Sequence, residues 1–290
     1  MKLFSGILVF IKFRIVLLST LSAATGYIVA YEGFSWRLGL FVMAMFVLAG
    51  GAAALNQFQE RGKDGLMERT RLRPLPAGEF LPWVALVLVV GLLGVGVGVL
   101  LLFFGVLTAG LGMMAVVLYN GMYTYLKRVT AFAAVPGALI GALPPVIGWF
   151  AGGGSVQSPV WVGLLVFFYM WQVPHFWLLL GIHAEDYIRA GFPSLTQTFS
   201  AAQLARITFV WVVATACMGM LFPLLRMFHH PVSLVVLFLG VVGLCVGAVG
   251  LVRSRGVGVM VYRRVFMFIN VFAVVIMVTL IIDHGFLVRT

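Results

Sequence analysis

Charged side chains are scarce in this sequence. The 19 Lys and Arg and 8 Asp and Glu residues make up only 9% of its 290 residues, whereas 63% are hydrophobic. A soluble domain has no interior large enough for so much apolar surface, so the composition excludes an ordinary soluble protein. The apolar runs are continuous rather than alternating, which favours helices over strands. We therefore predict an all-α polytopic membrane protein.

Cysteine is also rare. The two cysteines, Cys217 and Cys245, both lie inside apolar runs, which excludes a disulfide framework and a cysteine metal site. The net charge of +11 would suggest nucleic acid as the partner of a soluble protein. In a membrane protein a positive net charge reflects topology and attraction to anionic lipid. We therefore expect the lipid bilayer, and not a nucleic acid, as the partner of this protein.

Long apolar segments predict about nine transmembrane helices in a single integral-membrane domain over residues 1–290, arranged as a bundle around a central cavity. Lys2, Lys12 and Arg14 precede the first segment in the manner of a signal peptide, but the many further spans indicate a retained first helix. The 34 glycines suit close helix packing. The predicted helices are 11–31, 38–57, 80–102, 106–126, 131–150, 159–181, 204–225, 231–252 and 264–283.

The distribution of Lys and Arg predicts the orientation of the bundle. With a cytoplasmic N-terminus, nine helices place 16 of these residues on the cytoplasmic side and three outside, as the positive-inside rule requires. The three outside residues are Arg37, Arg226 and Arg289. Segments 58–79, 127–130 and 182–203 then share the cytoplasmic side, where we expect the polar chemistry.

The largest concentration of charge is the segment NQFQERGKDGLMERTRLRPLP, which begins at Asn56. Asn56, Glu60 and Asp64 recur every four residues, so on a helix they project from one broad face. One amide oxygen and two carboxylates suit Mg²⁺, a hard cation that also takes substrate phosphates. The alternative is a solvated helix end with i,i+4 charge pairs. Because Gly62 and Gly65 weaken a helix, we expect a loop-like metal site rather than a rigid stripe.

Basic residues accompany this acidic pattern. Arg69 and Arg73 follow in the same segment, and Lys127 and Arg128 end a span on the same side of the membrane. Guanidinium groups bind phosphate oxygens in a forked geometry. Positive-inside bias alone accounts for one or two of these residues as topological anchors, but it does not account for arginines interleaved with three acidic residues.

Several polar or aromatic side chains fall inside predicted spans, where they are costly and usually face a cavity or a partner. Pro144 and Pro145 predict a kink or break in the fifth helix that would expose carbonyls to a cavity. His175 is interpretable as a metal or porphyrin ligand, a base, or a hydrogen-bonded interior histidine. The other residues of this kind are Tyr119, Asn120, Tyr123 and Gln172.

Three segments carry a resemblance to a known family. NQFQERGKDGLMERTRLRPLPAG resembles the first acidic motif of the UbiA-type intramembrane prenyltransferases, and its ending M-x-R-T-x-x-R-P-L is similar to their protoheme IX farnesyltransferase branch. WQVPHFWLLLGIHAEDYIRAGFPSL, at 171–195, resembles the second motif of that branch, and IKFRIVLLSTLSAATGY, at 11–27, its opening segment. Glu60 stands where the superfamily usually has Asp. The second acidic pair is reduced to Asp186, as in the protoheme branch.

The resemblance implies transfer of a farnesyl group from farnesyl diphosphate to the vinyl group of heme b, with water addition, to give heme O. Heme is then a substrate and Mg²⁺ the cofactor. The implied metal ligands are Asn56, Glu60, Asp64 and Asp186, with Arg69, Arg73, Lys127 and Arg128 as further catalytic residues on the diphosphate. The implied substrate-binding residues are Lys12, Arg14, Tyr119, Asn120, Tyr123, Gln172, His175 and Tyr187.

Two other functions stay open at this point. One is a UbiA-type enzyme that prenylates a quinone precursor or a chlorin. The other is a heme-handling transporter without catalysis, because broken helices and midplane polar residues are typical of transporters. The resemblance also implies the inner membrane as location and, as protein partners, heme A synthase or terminal oxidase assembly factors.

Overall fold

The structure, a computed structural model, describes residues 2–253 and 258–287 and contains no strand within them. Two π-helical segments, Val117–Tyr123 and Asp283–Leu287, each follow directly on an α-helix, and a 3₁₀ turn spans Ala131–Ala133. Arg255 and Arg289, which entered the predicted charge distribution, lie outside the described residues. The helices are α1 Lys2–Phe10, α2 Phe13–Tyr31, α3 Trp36–Asp64, α4 Pro82–Val116, α5 Thr124–Leu126, α6 Ala134–Ala151, α7 Val160–Ile182, α8 Ala184–Arg189, α9 Leu195–Thr198, α10 Ala201–Gly219, α11 Pro231–Ala248, α12 Gly250–Arg253 and α13 Val259–Ile282.

Eight helical stretches among the described residues are long and apolar enough to cross a membrane. One of them, Pro82–Leu126, has 45 residues and would be about 67 Å long if straight, about twice the hydrocarbon thickness of a bilayer. It reverses at Gly105, whose φ of 86° and ψ of 173° are open essentially only to glycine. Gly112 packs against Leu100 across this bend, so the two limbs lie side by side. Counted as two limbs, this stretch brings the eight candidate spans of the described residues to nine, consistent with the prediction of about nine helices.

Most of the charge lies at one end of the bundle. The connection 65–81 after α3, residues 127–130 after α5 and the segment 183–200 after α7 meet at the end of α3. Arg73 and Lys127, from the first two, contact Asp64 and Glu60 of α3, and Lys63 Nζ of α3 donates to the Ala190 carbonyl in the third. We call this end of the bundle the polar face. At the other end, here the opposite face, Gly152 at the end of α6 packs against the Tyr27 carbonyl in the last turns of α2.

The predicted break at Pro144 and Pro145 does not occur. Both prolines lie inside the continuous helix α6 and are buried. The carbonyl of Pro145 packs against Gly26 of α2, where a side chain would collide with it. Glycine at this position lets the backbones of α2 and α6 approach closely.

Candidate active site

The last turns of α3 place Asn56, Glu60 and Asp64 on one buried face, with exposed fractions of 1%, 5% and 1%. The helix continues through Gly62 to Asp64, so the expectation of a loop-like site was wrong. The Thr70 hydroxyl caps the C-terminal end of α3 by donating a 2.8 Å hydrogen bond to the Asp64 carbonyl. This cap offsets the weak helix propensity of Gly62. The three side chains therefore form a rigid helical stripe.

A cation from a different segment of the chain contacts each residue of this stripe. The pairs are Lys12 Nζ with Asn56 Oδ1 (2.5 Å), Lys127 Nζ with Glu60 Oε2 (2.6 Å) and Arg73 Nη1 with Asp64 Oδ2 (2.7 Å). We call these six residues the charged cluster. Because the carboxylates are buried, their attraction to the cations is screened less than at a surface, and loss of one partner would leave a buried charge without compensation. Three cations against two carboxylates leave the cluster net positive.

Lys12 enters the charged cluster from the junction of α1 and α2. Its backbone is left-handed, with φ 54° and ψ 51°, an uncommon conformation for a residue with a side chain. Its ammonium also donates to the Tyr119 hydroxyl at 3.2 Å. Burial, together with the nearby Arg73 guanidinium, lowers the pKa of Lys12 to about 8. This cation therefore loses its proton within the range of ordinary assay conditions.

The π-helical segment and α5 form the wall that faces α3. Asn56 Nδ2 donates to Glu60 Oε2 and to Thr124 Oγ1, each at 3.0 Å. Asn120 Nδ2 donates to the Ala52 carbonyl at 3.0 Å, so this side chain ties the wall to α3 instead of contacting the carboxylates. π-Helical turns within α-helices frequently occur at functional sites, and this one places Lys127 opposite Glu60.

Helix α8 lies over the charged cluster on the polar face. Lys63 Nζ binds the Ala190 carbonyl at 2.8 Å, and the Arg189 guanidinium lies 3.0 Å from Glu68. The Arg189–Glu68 pair is exposed, so it contributes little stability. Asp186, in the first turn of α8, is half-buried. The second acidic motif is thus held near the first mainly through Lys63.

A cavity of about 50 Å³ lies beside Lys127. Its lining includes Tyr123, Phe176 and Tyr187, and the first two rings stack with centroids 5.8 Å apart. Burial raises the pKa of Tyr187, while the Arg69 guanidinium acts in the opposite direction. The volume of this cavity is below the roughly 300–1,000 Å³ of ligand pockets.

Residues 16–280 match the UbiA prenyltransferase family. The chain belongs to this family. Its sequence is 40% identical to a protoheme IX farnesyltransferase of Geobacter sulfurreducens over 74% of this chain and 80% of the relative. It is 35% identical to one of Nitratidesulfovibrio vulgaris, strain DP4 (83% and 82% covered), and 33% identical to one of Oleidesulfovibrio alaskensis (94% and 94%).

Solved structures show the same fold at low sequence identity. A digeranylgeranylglyceryl phosphate synthase superposes with a TM-score of 0.79 at 14% identity, covering 98% of this chain and 99% of that one. A UbiA homolog from Archaeoglobus fulgidus, bound to DMAPP and Mg²⁺, gives 0.69 at 13% identity, covering 95% and 99%. The bundle described above is therefore the UbiA fold.

Two predicted residues of this UbiA prenyltransferase lie deeper in α7, away from the charged cluster. His175 Nδ1 lies 2.9 Å from Asn270 Oδ1, and its ring is flanked by Trp171 and Phe266 at centroid distances of 4.8 and 4.9 Å. Gln172 packs against α6 at Gly141. Sequence reasoning missed Asn270, whose signal was a single amide within the last predicted span.

Three further predicted residues contact neither carboxylate of the charged cluster. Arg14 and Arg69 are exposed. Arg128 Nη2 donates to the Gln59 carbonyl at 3.1 Å, and its guanidinium lies 5.1 Å from the centroid of the Tyr125 ring. Across residues 4–253 and 258–287, no ion pair joins Arg14, Arg69 or Arg128 to an acidic side chain. Thr70, Thr124 and Lys63, which position the cluster, were missed because each is a single polar residue without a motif.

The pair of Lys127 and Glu60 generates a first prediction. Lys127→Met leaves the Glu60 carboxylate buried without its cation and should cost about 3–5 kcal/mol of stability. Adding Glu60→Gln removes that charge and should restore most of the loss. The measurement is thermal unfolding of the two variants in detergent, with Glu60→Gln alone as the matched control. Equal destabilisation in the single Lys127→Met and the double variant would contradict this account of the pair.

Proposed function

We propose that this protein transfers a farnesyl group from farnesyl diphosphate to the vinyl group of heme b, with addition of water, and releases diphosphate and heme O. The observation that carries the proposal is the charged cluster, which combines oxygen donors for a metal with cations for an anion. Its setting in a UbiA fold and the relatives named protoheme IX farnesyltransferase, at 33–40% identity, support these substrates.

The residues present fit a magnesium ion. Asn56, Glu60 and Asp64 offer the oxygen ligands that Mg²⁺ prefers. Glu60 Oε1 is buried without a hydrogen-bond partner in the described part of the chain, and such an oxygen is costly unless a ligand satisfies it. Asp186 on α8 would approach from the second motif. When bound, Mg²⁺ neutralises charge on the diphosphate and so assists its departure.

The cations of the cluster bind the leaving group. Lys127 and Arg73 now pair with the two carboxylates at 2.6 and 2.7 Å, and Lys12 donates to the Asn56 amide oxygen at 2.5 Å. Once the carboxylates hold a metal, their attraction for these cations falls, and the same ammonium and guanidinium groups donate to diphosphate oxygens. Their charge then acts where negative charge develops as the carbon–oxygen bond breaks. Arg69, which is exposed, adds further positive charge beside these three cations.

The interior of the bundle protects the reactive farnesyl cation. Tyr123 and Phe176 line the cavity beside Lys127, so their aromatic rings lie close to the position where the allylic cation forms as the diphosphate departs. Entry of the substrate displaces α8, and its return excludes water until the new carbon–carbon bond has formed. Water then completes the hydroxyethyl group of the product.

The acceptor would lie against α7 and α13. Trp171 and Phe266 flank His175 and provide flat apolar surfaces of the kind that a porphyrin requires. Asn270 fixes the ring of His175 through Nδ1, which orients Nε2, and this is how a second residue usually positions a ligating histidine. Gln172 lies one turn away from Phe176 on the same helix.

The polar face is proposed to be the cytoplasmic face of the inner membrane. The support is the excess of Lys and Arg in its connections over those of the opposite face. Both proposed substrates then reach the site from the side that carries the charged cluster.

Loss of the Asp64 carboxylate should abolish product formation. Asp64→Ala removes a metal ligand and the partner of Arg73, so heme O should fall by about 10²–10³-fold or more. The measurement is a chromatogram and spectrum of pigments extracted from membranes with equal amounts of folded protein. Glu68→Gln, an exposed acid of the same segment, is the control and should leave heme O unchanged. Normal heme O from well-folded Asp64→Ala protein would refute the assignment.

The pH dependence of farnesyl diphosphate binding should reflect the protonation state of the Lys12 ammonium group. Its pKa is about 8, so its positive charge is present below pH 8 and is lost as the pH rises above it. We expect KM for farnesyl diphosphate, at fixed Mg²⁺, to rise above pH 8 in the unmodified protein. In Lys12→Arg, whose guanidinium stays charged, this rise should disappear. Coincident pH profiles for the two proteins would exclude Lys12 as a ligand of the diphosphate.

A further inference from the structure

A second group of metal-binding side chains lies at the opposite face, remote from the charged cluster. His229, in the connection between α10 and α11, faces Asp283 and His284 at the π-helical end of α13. One ligand atom from each of the three residues lies within 4.8 Å of the other two. Nothing in the proposed reaction uses them.

The imidazole of His284 is oriented and protonated as in a metal ligand. Its side chain is buried, with 3% exposed, and Nε2 lies 2.9 Å from the Met227 carbonyl. Because a carbonyl only accepts, Nε2 carries the proton, and Nδ1 is left with its lone pair. Nδ1 is buried and has no hydrogen-bond partner in the described chain. A carbonyl on one ring nitrogen and a free lone pair on the other is the usual arrangement of a metal-bound histidine.

Asp283 is fixed beside it. The carboxylate is fully buried; Oδ1 accepts the His229 amide at 3.0 Å, and Oδ2 accepts the His230 amide at 3.2 Å. Among the described residues its one ion-pair partner is the His229 imidazole, at 3.2 Å. A buried carboxylate without a Lys or Arg partner retains strong attraction for a cation.

His229 supplies the movable third ligand. Its side chain is 41% exposed, and its ring lies edge to face with that of His284 at a centroid distance of 4.9 Å. Ligands of a tetrahedral zinc lie about 3.3 Å apart when each bond is about 2.0–2.1 Å. Since the three separations are at most 4.8 Å, a bound metal requires them to close by no more than about 1.5 Å; the His229 Nδ1–Asp283 Oδ1 separation is already 3.2 Å.

We propose that His229, Asp283 and His284 bind one divalent first-row transition metal at the opposite face, with Zn²⁺ as the representative ion. Two imidazoles and one carboxylate favour such a metal over Mg²⁺ or Ca²⁺, which prefer oxygen ligands throughout. The exposed side of His229 leaves a fourth position open to water. The bound metal joins the α10–α11 connection to the end of α13.

The test is Zn²⁺ titration of the full-length protein in detergent by calorimetry. The protein is purified through a tag without histidine and stripped with a chelator, and millimolar Mg²⁺ is present so that the charged cluster does not take up zinc. We expect one site per chain. His284→Gln, whose amide still donates to the Met227 carbonyl, and His229→Gln should each weaken the affinity about tenfold or more.

The adjacent His230→Gln is the matched control and should bind zinc within about twofold of the unmodified protein. Size-exclusion elution without metal verifies the fold, and if His284→Gln does not fold, the exposed His229→Gln carries the test. Absence of a zinc site in the unmodified protein, unchanged affinity in His229→Gln, or equal loss in His230→Gln would each overturn the proposal. In the first of these cases Asp283 serves only to hold the backbone of residues 229 and 230.

Discussion

The structure depends on a set of buried charges, each of which needs its partner of opposite charge. Glu60 and Asp64 project from the end of α3 into a region almost without solvent, and each would be strongly destabilising without its cation. Lys127, Arg73 and Lys12 come from the end of α5, the connection after α3 and the start of α2. The two ion pairs, together with the hydrogen bond from Lys12 to Asn56, bring three remote segments to one point. The same point has the oxygen and nitrogen donors that a metal–diphosphate complex requires.

The helices around the cluster make this geometry possible by close packing. Gly96 and Gly112, on the two limbs of α4, both contact Leu48 of α3, and the reversal at Gly105 returns the chain to the polar face. There the π-helical segment places Lys127 opposite Glu60. On the other side, the contact of Gly26 with the Pro145 carbonyl fixes α2, and with it the start of the helix that follows Lys12. Small residues within apolar helices thus determine where the few charged side chains meet.

The sequence predicted the spans and the acidic stripe because both are periodic signals along the chain. It failed where a local breaker was overruled by its surroundings. Gly62 suggested a loop, yet the Thr70 cap keeps α3 helical. Pro144 and Pro145 suggested a break, yet both lie buried in the continuous helix α6, which packs closely against α2 at Gly26. The partners of the stripe were not predictable as pairs, since Lys12 and Lys127 lie 44 and 67 residues from Asn56 and Glu60. The metal-binding group at the opposite face was missed for the same reason, because His229 and Asp283 are 54 residues apart.

The central claim is that the charged cluster exchanges its internal ion pairs for a metal and a prenyl diphosphate. The direct measurement is the affinity of the purified protein for farnesyl thiodiphosphate, a slowly reacting analogue, with Mg²⁺ and with a chelator instead. The account predicts binding that depends on Mg²⁺, because without the metal the carboxylates keep Lys127 and Arg73 from the phosphate oxygens. Equal affinity in the two conditions, or no binding in either, would contradict it.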